Sequence, residues 1–333
     1  MSMKRLISRF GRLAAAGVIV VASVAGIQHA TTAVRAAGPT IYVIGYETQN
    51  PFWQTEQHGA QQAGADFGVN VIYQAPAVAS TAGMEQLARA AIAARPQGLA
   101  IDYTDRGMEK VTLAALQAGI KVVLYNNNRF ENTGQPGSAT TDVRITGLAY
   151  SGQDEHHSGT VLGQAFLKYL KPHAKVLIVN PFPQAFVLTL RYQGVKSVLQ
   201  AAGISTDLIP AGADEGNNMS LIGAYLQAHP DTGGIVGLGD PAANPAATYV
   251  MRKKLSIPVA TFDVDTEAVH LIQAGALTVA LNQQPWLQSY HAVQNLVFAL
   301  KYGLTPVNVD TGTLLVNKSN VDNLVQVIHA GRG

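Results

Sequence analysis

The sequence predicts an α/β protein built from two similar lobes, each a doubly wound, mostly parallel sheet. Three observations carry that reading. Short apolar runs of strand type alternate with longer stretches whose apolar residues recur at helical spacing. The first four strand starts are 29, 28 and 23 residues apart, the length of a strand, a helix and a return crossover. The same alternation then restarts after a polar stretch rich in Gly, Thr and Asn, so one pattern is used twice.

Taken in order, strands are expected at Ile41–Tyr46, Asn70–Gln74, Gly98–Tyr103 and Lys121–Asn126, with helices at Phe52–Phe67, Gly83–Ala94 and Gly107–Ala118 between them. Leu99-Ala100-Ile101 and Val122-Val123-Leu124 are continuously apolar, as strands buried on both faces must be. The segment Arg129–Arg144 reads as a loop. The second series has strands at Gly147–Ser151, Lys175–Asn180, Thr206–Pro210, Gly234–Leu238, Pro258–Asp263 and Leu277–Asn282. Its helices are His157–Leu170, Gln184–Ala202, Met219–His229 and Asn244–Lys253. In Asp154-Glu155-His156-His157, Asp caps a helix and Glu sits in its first turn, where the helix dipole favours an acid. Adjacent histidines on a helix point about 100° apart, which argues against a shared metal ion.

The 333 residues contain no cysteine, which excludes disulfides, cysteine-ligated zinc, iron–sulfur clusters and thiol catalysis. Apolar residues make up 47% and charged residues 13%, which excludes a disordered chain. The N-terminus reads as a secretion signal. Lys4, Arg5, Arg9 and Arg12 precede an uncharged stretch, Leu13–Ile27, too short to span a bilayer, and Val34-Arg35-Ala36 offers a cleavage site after Ala36. Residues 1–36 hold five basic side chains and no acidic one, so the remainder carries 18 basic and 21 acidic groups. That balance disfavours a nucleic-acid partner. With no cysteine for a lipid anchor, a soluble, non-lipidated protein in the periplasm is expected, with no membrane anchor after cleavage.

Ligands of doubly wound sheets bind beyond the carboxyl ends of the strands. Those ends hold Asn50, Phe52 and Trp53, then Asp102, then Asn126, Asn127 and Arg129. In the second half they hold Asn180 and Phe182, Asp240, Asp263, and Gln283. Planar amides and carboxylates beside aromatic rings suit a neutral polyhydroxylated ligand, whose hydroxyls both donate and accept while its C–H face lies on a ring. An enzymatic alternative rests on Gly237-Leu-Gly239-Asp-Pro-Ala242, which fits a dinucleotide fingerprint with Asp263 about 20 residues on. Asp240 opposes it by placing a carboxylate where a pyrophosphate would sit, and Pro241 removes an amide donor. No nucleophile–base pair, metal motif or cofactor motif is otherwise specified. The protein therefore reads as non-enzymatic, with no cofactor and no metal.

An ordered set of motifs resembles the ribose/galactose-type periplasmic sugar-binding proteins, the type I solute-binding components of ABC importers. The set runs through Thr48-Gln-Asn-Pro-Phe-Trp53, Gly59-Ala60, Gly68-Val-Asn-Val71, Ala118-Gly-Ile-Lys-Val-Val123 and Tyr150-Ser-Gly-Gln-Asp154. It continues through Leu190-Arg-Tyr-Gln-Gly194, Thr261-Phe-Asp263 and Asn282-Gln-Gln-Pro-Trp-Leu-Gln-Ser-Tyr290, and covers 40–330. The resemblance implies the type I periplasmic binding protein fold, with a three-strand hinge joining lobe 1 (40–150 plus 284–312) to lobe 2 (151–283 plus 313–330). It implies a monomer that closes on one sugar and delivers it to the membrane permease of an ABC importer; presentation to a sensor kinase or chemoreceptor is the alternative. By similarity, Asn50, Phe52, Trp53 and Asn126 belong to the first lobe's side of the cleft. Arg191, Asp240 and Asp263 belong to the second lobe's side, and Gln283 to the hinge. Three departures leave the sugar open. Gly239 and Asn127 stand where ribose-type binders have Asn and Arg, and Glu215 stands where relatives have a stacking aromatic that Phe182 or Phe186 could replace.

Overall fold

The computed structural model describes residues 38–128 and 142–332, so the proposed signal and Arg129 lie outside the described residues. The first sheet contains β1 (Thr40–Ile44), β2 (Asn70–Gln74), β3 (Gly98–Ile101), β4 (Lys121–Tyr125), β5 (Tyr150–Gly152) and β11 (Val309–Asp310). Its order is β11-β5-β4-β3-β1-β2, all parallel. The second holds β6 (Lys175–Asn180), β7 (Ser205–Pro210), β8 (Thr232–Gly237), β9 (Val259–Phe262), β10 (Val279–Asn282) and β12 (Leu314–Val316). Its order is β12-β10-β9-β8-β6-β7, with only the edge strand β12 antiparallel. Strand order reverses once in each sheet, which opens a crevice at the carboxyl ends.

Helices cover both faces. The first lobe carries α1 (Pro51–Phe67), α2 (Thr81–Ala93), α3 (Gly107–Gln117) and the short α4 (Val143–Thr146). The second carries α5 (Glu155–Leu167), α6 (Phe186–Ala201), α7 (Glu215–Ala228), α8 (Asp240–Arg252) and α9 (Thr266–Ala274). The chain then returns to the first lobe with α10 (Pro285–Tyr302), which packs on α1, and ends with α11 (Asp322–His329) against α9. β3 is buried throughout, in keeping with its unbroken apolar run. Each lobe has an apolar core on either side of its sheet: Val43, Ala100 and Leu296 lie on one side of the first sheet, and Leu99, Ile101 and Leu124 on the other.

Two local differences from the sequence reading have simple causes. Tyr150, Ser151 and Gly152 pair with β4 and β11, so β5 lies whole in the first sheet and the chain crosses at Gln153–Asp154 rather than at residue 151. The expected Arg129–Arg144 loop gives way at its end to α4, because the Asp142 side chain accepts from the Arg144 amide and caps a turn. The other two crossings fall at Gln283–Gln284 and at 311–313, between β11 and β12.

Candidate functional site

The strand ends of the two sheets face one cleft. Local chemistry shapes it from the first residues. Asn50 caps α1 through its side-chain oxygen, which accepts from the Phe52 amide at 2.7 Å, and Pro51 occupies the first helical position. The cap fixes Phe52 and Trp53 at the cleft, where their rings meet edge to face with centroids 5.0 Å apart. Tyr46, the second residue past β1, completes the group at 5.8 Å from Trp53. From the other lobe, Phe182 meets Tyr46 edge-on at 6.2 Å, and Asp240 accepts from the Asn50 amide at 3.3 and 3.4 Å. The lobes are therefore closed on each other.

Three residues at this cleft adopt left-handed backbone without being glycine: Asn126 (φ 56°), Asp263 (φ 73°) and Gln284 (φ 57°). Each follows a strand directly or within two residues, and such conformations persist where the surroundings impose them. A continuous polar chain does so for Asn126 and Asp263, while Gln284 donates its backbone amide to the Asn282 side chain and its side-chain amide to the Thr311 carbonyl. The Asn127 amide donates to Asp102 and to Asn126, each at 2.5 Å, and Asn126 donates to Gln288 at 3.0 Å. Gln288 on α10 donates to Gln283 at 3.2 Å, and Gln283 donates to Asp263 at 2.5 Å. The chain runs from the floor of one lobe, through the hinge, to the wall of the other.

The second lobe's wall is charged. Arg191 is buried and held on four sides. Its Nε and Nη2 donate to Glu155 at 2.6 and 3.1 Å, and Nη1 donates to the Leu238 carbonyl at 3.1 Å. The guanidinium lies 4.7 Å over the Phe262 ring, and Asp263 is 3.9 Å away. Glu155 and Arg191 are 36 residues apart in sequence and meet because α5 and α6 touch backbone to backbone. A Cβ on Gly159 would stand 2.4 Å from the Arg191 carbonyl oxygen, and one on Gly194 would stand 2.3 Å from that of His156. Burial pushes the Asp240 carboxyl well above the usual carboxylate range, and the charges of Asp263 and Asp265 push it further. Burial raises Asp263 and Glu155 as well, in each case opposed first by Arg191. On the other wall burial raises Asp102, and it pushes the Tyr46 phenol up to about 12.

Of the residues expected from sequence, Asn50, Phe52, Trp53, Asn126, Asn127, Arg191, Asp240, Asp263 and Gln283 line this cleft. Asp102 and Asn180 do not. Asp102 lies beneath Asn127, fully buried, with Oδ2 unpaired, and Asn180 accepts from the Phe182 amide at 3.0 Å to fold the turn after β6. The two differ in cause: the Asp102 side chain is buried within its lobe, whereas the Asn180 side chain is used by the local turn. Phe182 lines the cleft, whereas Phe186 is buried without lining it and Glu215 stands exposed at the start of α7. Tyr46, Thr104, Leu188 and Leu238 line it without having been expected. Tyr46 ended an expected strand and was within reach of the strand-end argument. Leu238 likewise ended an expected strand, whereas Leu188 carried no signal beyond apolarity.

Gly237 has a packing explanation. A Cβ on Gly237 would lie 2.6 Å from that of Ala243, so the glycine lets α8 close on β8. The start of α8 is occupied by the carboxylates of Asp240 and Asp263, the latter bonded to the Asp240 amide, and this leaves no place for a pyrophosphate.

Comparison with known proteins agrees with this geometry. The profile of the periplasmic binding protein domain matches residues 41–304. A xylose/arabinose-binding protein of Sulfolobus acidocaldarius is 27% identical over 84% of this chain and 71% of its own length. A D-ribose/D-allose-binding protein of Pseudomonas aeruginosa is 24% identical over 94% of this chain and 97% of its own. Among solved structures, a carbohydrate transporter of Acidothermus cellulolyticus in complex with myo-inositol is 27% identical, with a TM-score of 0.76 over 88% of this chain and 99% of that one.

Proposed function

The chain belongs to the periplasmic binding protein family, type I in fold, and from that premise we propose that it captures one monosaccharide or related polyol between its lobes and delivers it to an ABC-type permease. The observation that carries the reading is the facing of two unlike walls: rings and amides on one, a buried arginine and carboxylates on the other. Sugar-ring faces suit the first wall and hydroxyls suit the second. The relatives named for xylose, arabinose, ribose and allose support a sugar as the ligand. The family's members bind solutes rather than transform them, and nothing in the arrangement supplies a nucleophile beside a base. Closure would make bonds from both lobes at once, so that ligand shifts the hinge toward the closed state.

Export is part of the same reading. The basic and apolar N-terminal residues support a cleaved signal, and among the described residues no helix is long and apolar enough to cross a membrane. The exported protein should have the intact mass of a chain beginning at Ala37; a retained leader would contradict this. Thermal shift of residues 37–333 against D-xylose, L-arabinose, D-ribose, D-galactose, D-glucose and myo-inositol tests the binding claim. A ligand at about 100 times its Kd adds roughly 2.7 kcal/mol of stability. If no sugar or polyol of the panel stabilises the protein, the proposal fails.

A further inference from the structure

Arg191 is the only basic side chain among the described residues that line the cleft, and its charge is already spent. Glu155, 4% exposed, takes the Nε/Nη2 edge in a two-bond pair, one of the two edges at which a carboxylate can form parallel bonds, and the Leu238 carbonyl takes Nη1 on the other. Gln153, at the first crossover, donates to Glu155 at 2.8 Å and holds it in place. Against this one guanidinium stand three buried or cleft-facing carboxyls, those of Glu155, Asp240 and Asp263, and among the described residues no cation lies within ion-pair distance of Asp240. Of the cleft-lining side chains, Asn127 keeps a buried oxygen, Oδ1, without a partner, and that atom is an acceptor. Among the described residues of the cleft, acid groups outnumber the one guanidinium.

We infer that Glu155 is a positioning residue that sets the ligand's charge class: by neutralising Arg191 and occupying its fork, it makes the cleft a site for uncharged, donor-rich sugars that turns away acid sugars. The inference rests on the proposed sugar-binding function and adds to it. A uronate differs from its neutral counterpart chiefly by one carboxylate, glucuronate from D-glucose or D-xylose and galacturonate from D-galactose or L-arabinose. In this cleft that carboxylate would be buried with three like groups, against a guanidinium whose Nε/Nη2 edge is taken and whose Nη1 is already bonded. A neutral sugar instead brings hydroxyl protons to the cleft-lining oxygens of Asp240, Asp263 and Asn127. Gln at 155 can accept only one of the two bonds and carries no charge, so it would free both the fork and the positive charge.

The test is titration calorimetry of wild type and Glu155→Gln with each neutral sugar and its uronate, with melting curves to establish folding. In wild type the uronate should bind at least 100-fold more weakly than its neutral counterpart. In Glu155→Gln that ratio should fall at least tenfold, a change that mere loosening of the fold would not produce because it weakens both ligands alike. Comparable uronate and neutral-sugar affinities in wild type would overturn the inference, as would an unchanged ratio in the folded variant. The wild-type comparison stands even if Glu155→Gln does not fold. Absence of binding by every neutral sugar and uronate would instead defeat the sugar-binding reading itself.

Discussion

The two walls of the cleft both bury carboxyl groups, but they hold them in opposite ways. On the second lobe Glu155 is gripped by a guanidinium at two points, and that pair is fixed by a carbonyl, an aromatic ring and the crossing of α5 and α6. On the first lobe Asp102 has, among the described residues, no cation beside it, only the side-chain amide of Asn127, and one of its oxygens has no partner there. The difference teaches how the walls divide their work. The charged wall is rigid and prepaid electrostatically, so its energetics live in the protein. The amide wall is incompletely satisfied, so its energetics wait for a ligand or a proton.

The sharpest way to break this contrast is Arg191→Ala. Removing one partner strands Glu155 as a buried charge, and such losses cost about 3–5 kcal/mol. Urea unfolding should show that loss, and Arg191→Lys should recover only part of it because a lysine has no fork. A loss under about 1 kcal/mol would show that the pair is not gripped as described. Asp102→Asn tests the other wall and should have the smaller effect, a gain of about 1 kcal/mol at alkaline pH, since an unpaired buried charge is exchanged for an amide. The sign follows from its raised folded pKa. The stability tied to protonated Asp102 is complete below the unfolded value of about 3.9 and is lost as pH rises toward the folded value. The variant's melting temperature should therefore exceed wild type by more at pH 8 than at pH 5. An equal difference at both would mean that Asp102 does not titrate between them.

Much of the fold was legible because the two periodicities are strong: Lys175–Asn180 and Asn70–Gln74 were expected with the bounds they have, and the continuous apolar runs are the buried central strands. Cleft residues such as Asn126 and Asp263 were legible because strand ends place them there whatever their partners. The Glu155–Arg191 pair was not, because it depends on two helices touching at Gly159 and Gly194, and a first-turn Glu looks the same whether it caps a dipole or pins an arginine. The polar chain through Gln288 was hidden for the same reason. Gln288 sits on α10, apart from every strand end, and acquires its role only when the hinge folds back. Asp102 shows the converse, a strand-end acid whose side chain points into the lobe.

The central claim is that both walls hold one ligand. Titration calorimetry of Trp53→Ala and Asp240→Asn, with the sugar the thermal-shift panel selects, tests it most directly, because each variant alters one wall only. The account predicts that each weakens binding of that sugar at least tenfold, about 1.4 kcal/mol, while both proteins stay folded. Full affinity in either folded variant would mean that the ligand rests on one lobe alone, and would contradict it.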